Sequence, residues 1–240
     1  MFSGWNDPRA VAPVVAEMAG TFLFFFVGIG AAVALGSAVD PAAGLITVAL
    51  AHGVVLAVLV SALGAVSGGH FNPAVTFGVW LSGHIPWRRG IAYVLAQLIG
   101  AIVAAWSIGQ LLPQSAGTTL GTPALGAGVT PVAGIVIEAI LTVILLIAVF
   151  GTAIDTRAPK VGGLAIGFAV AADILMGGPL TGAAMNPARW FGPAAVTGIG
   201  TDWFVWIIGP LVGAAIAALA YRYLFRPEAS LARTPAEPMA

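Results

Sequence analysis

Apolar residues in this chain fall into six long runs, not the short alternations of strands or the one-sided stripes of soluble helices. From the N-terminus they are Val11 to Gly36, Gly44 to Ala65, Gly90 to Leu112, Pro131 to Gly151, Val161 to Met176 and Trp203 to Phe225. A helix needs roughly 20 apolar residues to cross a hydrocarbon core, so the pattern predicts an all-α membrane protein with six transmembrane helices. Two shorter apolar pieces, Pro73 to Ser82 and Pro187 to Thr197, lie between the second and third runs and between the fifth and sixth. As helices each would reach only ~15 Å, about half of a core ~30 Å thick. They read as re-entrant half-helices.

Both half-helices open on the same tripeptide, Asn72-Pro73-Ala74 and Asn186-Pro187-Ala188. Asn suits an N-cap, and Pro suits the first helical turn, where its missing N–H costs nothing. Aligning the two tripeptides aligns Leu50-Ala51-His52-Gly53 with Leu164-Ala165-Ile166-Gly167. It also aligns Leu98-Ile99-Gly100-Ala101 with Leu211-Val212-Gly213-Ala214 after a one-residue slip, and brings Glu17 near Glu138 slightly out of register. The chain is therefore an internal duplication. Three spans per repeat is an odd number, so the halves insert with opposite topology, an inverted 3+3 repeat. One membrane domain, 1–240, is expected: repeat one 10–112, an uncharged linker 113–130, repeat two 131–225, and a Pro-containing tail 226–240 read as a disordered end.

Composition supports this reading. Of 240 residues 60% are hydrophobic and 8% charged, more apolar surface than a soluble domain of this length could bury. Arg9, Arg88, Arg89, Arg157, Lys160, Arg222, Arg226 and Arg233 fall on the side of the termini, and Arg189 alone falls opposite. Both termini are accordingly expected in the cytoplasm. The first run is too long for a secretory signal and carries Glu17. Cysteine is absent, which removes disulfide and thiol chemistry. A net charge of zero gives no sign of a nucleic-acid partner, and no metal, cofactor or nucleophile constellation supports an enzyme.

The chemistry concentrates where the half-helices meet. Their positive ends face one another near the midplane, and non-helical backbone at that depth must be buried in protein or line a water-filled cavity. Gly68, Gly69, His70 and Phe71 precede one Asn, and Gly182, Ala183, Ala184 and Met185 precede the other; small residues here let carbonyls face a lumen. A row of acceptors then leads to two Asn amide donors. A central water would be oriented by both, and the two helix ends would oppose cations and protons.

Glu17 and Glu138 are costly in hydrocarbon. Their symmetric placement favours accepting hydrogen bonds from the re-entrant loops over relaying protons. Asp173 adjoins Ile174 but points roughly 100° away around the helix, which suits a buried hydrogen bond to the second loop or a neighbouring helix. His70 is expected to offer its carbonyl and not its ring, and His84 to sit in a cytoplasmic loop. Gly163, Gly167, Gly209 and Gly213 have the spacing of close helix packing. Trp5, Trp80, Trp87, Trp203 and Trp206 fit interfacial belts or packing.

These residues resemble the aquaporin (major intrinsic protein) family over nearly the whole chain. Ser67-Gly68-Gly69-His70-Phe71-Asn72-Pro73-Ala74-Val75-Thr76 and Gly182 through Arg189 look like its two signature loops, and Glu17-Met18-Ala19-Gly20-Thr21-Phe22 like its first-span motif. The resemblance implies a homotetramer with one pore per protomer, no cofactor, and an outer selectivity filter at His52, Ile174, Ala183 and Arg189. A strict water channel of this kind would have an aromatic at 52 and His at 174; here His stands at 52 and the opposite wall is aliphatic. That set is similar to plant tonoplast intrinsic proteins and to animal aquaporins that pass ammonia and hydrogen peroxide, and Ala172 to Pro179 also looks like the animal members. The implied permeants are water, ammonia, hydrogen peroxide and urea; the location expected for the chain is a plasma (inner) membrane. A glycerol facilitator is less favoured, because Trp190 follows the Arg and the linker is compact. Two other classes remain: an ion-coupled transporter using Glu17, Glu138 or Asp173, since such proteins also combine inverted repeats with broken helices, and a non-conducting scaffold, which intact donors at Asn72, Asn186 and Arg189 disfavour.

Overall fold

A computed structural model describes residues 8–35, 40–159 and 161–225. Trp5, Gly36, Lys160 and the tail 226–240 with Arg226 and Arg233 lie outside the described residues, as does the side chain of Arg9. Among the described residues, eight α-helices run in the order α1 Pro8–Leu35, α2 Pro41–Ser67, α3 Pro73–Leu81, α4 Trp87–Leu111, α5 Pro131–Val149, α6 Gly162–Thr181, α7 Pro187–Thr197 and α8 Val205–Ala220. Six of them, α5 and α8 with a π-helical turn appended at Phe150–Ile154 and Tyr221–Phe225, are long and apolar enough to cross a membrane. The half-helices α3 and α7 are the other two.

Element ends follow capping chemistry more closely than hydropathy. Asp40 caps α2 by accepting from the Ala42 amide at 2.9 Å, and Pro41 takes the first position, so α2 begins ahead of the expected Gly44. Arg88 and Arg89 belong to α4, which starts at Trp87 and not Gly90. The largest departure is α6, expected to stop at Met176 before Gly177-Gly178-Pro179 but continuing to Thr181. Pro179 lies close to the helix end, so its missing N–H removes a single ladder bond there. The stop comes at Gly182, whose φ of 77° ends the helix in the left-handed region at no steric cost.

Helices approach closely where side chains are missing. α2 crosses α6 at Gly53 and Gly167; a methyl carbon at Gly53 would lie 2.6 Å from the Gly167 carbonyl oxygen. α8 meets α5 the same way, with a methyl at Gly209 reaching 2.7 Å from Glu138 Cβ. Outward positions such as Val54, Val58, Leu95 and Ile147 are apolar and exposed, a surface suited to lipid, whereas Glu17, Glu138, Asp173 and Arg189 are all buried. Trp80, Trp87 and Trp203 sit at the exposed periphery. Trp206 is instead buried and stacked on Trp190 with centroids 5.6 Å apart.

Candidate functional site

Each re-entrant loop is tied down by one buried carboxylate. Glu17 Oε1 accepts from the His70 amide at 2.9 Å and Oε2 from the Phe71 amide at 2.7 Å. Glu138 repeats this, Oε1 taking the Ala184 amide at 2.9 Å and Oε2 the Met185 amide at 2.6 Å. The hydroxyls of Ser67 and Thr181 donate to the same carboxylates at 2.6 and 2.7 Å. Tyr93 Oη and Trp206 Nε1 donate to the carbonyls of Ser67 and Thr181, both at 2.9 Å. Glu17 has a further donor, Gln97 Nε2 at 2.8 Å.

This anchoring dictates where the loop carbonyls point. In a trans peptide the N–H and the preceding C=O are opposed, so turning the amides of residues 70 and 71 toward Glu17 turns the carbonyls of Gly69 and His70 away from it. The carbonyls of Ala183 and Ala184 are set likewise by Glu138. Left-handed φ angles at Gly69 (64°) and Phe71 (48°) and at Ala183 (45°) and Met185 (51°) make the turns possible. Three of those four residues carry side chains, which cost about 1–2 kcal/mol each in that region.

The two Asn residues complete each other's loops. Asn72 Oδ1 accepts from the Ala74 amide at 2.8 Å and Asn186 Oδ1 from the Ala188 amide at 3.0 Å, capping α3 and α7. Asn72 Nδ2 donates to the Met185 carbonyl and Asn186 Nδ2 to the Phe71 carbonyl, each at 3.0 Å. An amide NH2 has two protons, so each Asn keeps one beyond this cross-bond.

A cavity of about 840 Å³ runs past this point. At one end it is bordered by His52, Ile174, Ala183 and Arg189, at the centre by Asn72 and Asn186, and at the other by Ile154, Asp155 and Thr156. The four expected filter positions are thus together on one lumen. Gly68, Gly69, His70, Ala184 and Met185 also border it, but Phe71 and Gly182 do not. The Phe71 carbonyl holds Asn186, and its ring packs against Gly20, while Gly182 ends α6. Met185 lines the cavity with its carbonyl already engaged by Asn72.

Arg189 Nε donates to His52 Nε2 at 3.2 Å, and His52 Nδ1 lies 2.9 Å from the Val48 carbonyl. Nε2 must accept from a guanidinium and Nδ1 must donate to a carbonyl, which selects the neutral Nδ1–H tautomer. The linker passes close by: a methyl at Gly121 would lie 3.7 Å from Arg189 Nη2.

Other expected residues fall off the lumen. Glu17, Glu138 and Asp173 do not border the cavity. Asp173 is buried, but Oδ2 finds no hydrogen-bond partner among the described residues, contrary to the bond expected for it; nothing in the structure explains this. The His70 ring is not idle, since Nδ1 lies 3.1 Å from Thr76 Oγ1. His84 follows α3, beside Ser82 Oγ at 2.9 Å and at the same end of the cavity as Asp155. Hydropathy could not distinguish the apolar half of the wall, Phe24, Leu56, Val60, Leu145, Val149 and Ile166, from lipid-facing neighbours, because both sides of these helices are apolar.

The family model described as Major intrinsic protein matches residues 4–221. The chain is 46% identical to Aquaporin TIP4-4 of Zea mays over 227 residues, covering 92% of this chain and 89% of that one. It is 42% identical to Aquaporin TIP1-2 of Zea mays over 243 residues, covering 97% and 94%. With Probable aquaporin TIP2-2 of Oryza sativa subsp. japonica it shares 44% over 236 residues, 93% and 92% of the two chains. In fold it superposes on the aquaglyceroporin from Plasmodium falciparum with a TM-score of 0.82 at 22% identity, over 92% of this chain and 99% of that one. Six membrane-length helices, two capped half-helices meeting at paired Asn residues, and these likenesses along almost the full length agree: the chain belongs to the major intrinsic protein family, whose members are membrane channels for water and small neutral solutes and not enzymes.

Proposed function

We propose that this channel conducts water together with ammonia, hydrogen peroxide and urea, and rejects ions and protons. The observation that carries the proposal is the composition of the entrance. His52 and Arg189 supply one polar edge, joined at 3.2 Å, while Ile174 and Ala183 supply a wall with no polar side-chain atom. A small neutral solute can be held at the Arg189 edge, and the aliphatic side leaves room that an aromatic at 52 with His at 174 would fill. Asn72 and Asn186 orient a water at the centre, and the ends of α3 and α7 with the Arg189 charge oppose cations.

Proton or ion coupling is disfavoured by the carboxylates themselves. Glu17 and Glu138 are engaged by loop donors, and neither they nor Asp173 border the lumen. Glycerol is a weaker candidate than urea, because Trp190 follows Arg189. Assembly as a homotetramer with one pore per protomer, and termini in the cytoplasm, complete the proposal. As to membrane, the relatives are of the tonoplast intrinsic type, which favours a tonoplast-like location over the plasma membrane expected from sequence.

Stopped-flow light scattering on proteoliposomes tests the reading. Water permeability should rise without any ion gradient, and well-folded protein that leaves it at the lipid background would overturn the channel. Comparing ammonia, peroxide, urea and glycerol in the same preparation tests the solute range. His52→Phe should reduce peroxide and ammonia flux more than water flux; equal loss of all fluxes would remove His52 from the selective role.

A further inference from the structure

His52 is held on three sides, and the third is supplied by a residue that never touches the lumen. Val48 and Arg189 occupy its two ring nitrogens. Behind the ring lies α1, where Phe24 meets it edge-on at 5.8 Å and Gly28, one turn further, presents bare backbone. A methyl carbon placed on Gly28 would lie 2.6 Å from His52 Cδ2 and 2.7 Å from Cε1, and nearer still to Nε2. Gly28 is buried and does not border the cavity.

We infer that Gly28 is a specificity-determining position of the channel: the recess left by its missing side chain sets how far the His52 ring projects into the entrance. Ordinary contact between carbons needs ~3.5–4.0 Å, so any side chain at 28 drives the ring forward by roughly an ångström. Backbone blocks retreat into α1, and α2 fixes the ring's root. The open direction is the lumen. Moving that way narrows the gap to Ile174 and Ala183 and also strains the bond to Arg189. Gly28 thus acts as a positioning residue for both polar groups of the entrance, which residue 28's distance from the lumen would not suggest. The inference rests on the filter reading given under Proposed function.

A double-mutant cycle in proteoliposomes tests it, with water and hydrogen peroxide permeability read on wild type, Gly28→Ala, His52→Ala and the pair. One methyl group in a binding pocket shifts discrimination about tenfold, so Gly28→Ala should lower the peroxide-to-water ratio by roughly that factor. In the His52→Ala background the added methyl has no ring to displace, and Gly28→Ala should leave the ratio unchanged. If Gly28→Ala alone misfolds, recovery of monodisperse protein in the double variant supports the same contact. A change in ratio of the same size in both backgrounds overturns the inference, as does an unchanged ratio in Gly28→Ala or misfolding that persists without the His52 ring. Failure of the underlying reading shows separately, as wild-type protein with no water or peroxide permeability above lipid.

Discussion

Replacing Glu17 with Gln isolates what the carboxylate does for the first re-entrant loop. Size and shape are kept, but one oxygen becomes an NH2 that cannot accept. Side-chain partners can adapt: Gln97 can flip to present Oε1, which has no partner as it stands, and the Ser67 hydroxyl can turn to accept. Backbone donors cannot. Whichever oxygen is lost, one amide is stranded, that of Phe71 (2.7 Å) or that of His70 (2.9 Å). Leaving one buried donor unsatisfied costs about 1–3 kcal/mol. At ~2–4 °C per kcal/mol for a chain of this size, the melting temperature of purified protein should fall by ~2–12 °C. Hydrogen exchange should speed up locally at residues 69–71, and no proton flux should appear or vanish in proteoliposomes. An unchanged melting temperature with unchanged exchange would refute the anchoring role, and a proton flux that disappears with the carboxylate would install the relay in its place.

Three further outcomes are expected. Trp206→Phe keeps a ring on Trp190 but leaves the buried Thr181 carbonyl without its donor, so thermal unfolding should show a loss of about 1–3 kcal/mol. Gly53→Ala sets a methyl against the Gly167 carbonyl oxygen, backbone on backbone; overpacking of this kind costs about 1–3 kcal/mol, whereas Gly64→Ala, which meets nothing within 4 Å, should not destabilise in the same melt. Asp155 is held down to about 2 by the hydrogen bonds Arg157 makes to it. Its folded pKa lies below its ordinary 3.8, so any contribution of this pair is complete above pH 3.8 and fades as pH falls through about 2. Arg157→Ala should therefore flatten the acid end of a stability-versus-pH curve and leave its shape between pH 5 and 8 unaltered.

What could be read from sequence was whatever repeats or interrupts. The two Asn-Pro-Ala tripeptides, 114 positions apart (72 and 186), fix the half-helices, because capping is local chemistry. Glu17 and Glu138 are 121 apart (17 and 138), and the excess of seven residues equals the length by which α2 (27 residues) exceeds α6 (20 residues). The run through Gly177-Gly178-Pro179 was illegible for the opposite reason: local propensity says stop, and tertiary packing carries the helix on. Tyr93 and Trp206 do the same job 113 apart (93 and 206), but a phenol and an indole do not align as letters. Phe24 and Leu56 face the cavity among helices apolar all round, so periodicity could not single them out. The Gly28 recess is a property of an absent side chain and shows only when the ring that fills it is in place.

The cross-bonds at the centre also bear on how the protein is made. Asn72 donates to a carbonyl 113 residues later in the chain, and Asn186 to one 115 residues earlier. At ~5–20 residues per second of synthesis, the first loop waits roughly 6–23 s before its partner exists. During that interval its amides already have Glu17, but the Asn72 amide has no protein acceptor from the second loop, and the half-helix α3 has nothing opposite it in the membrane. The first half of the chain must therefore be kept in a watery or protein-lined setting by the insertion machinery until the second half arrives, and anything that slows translation between residues 72 and 186 lengthens the exposure.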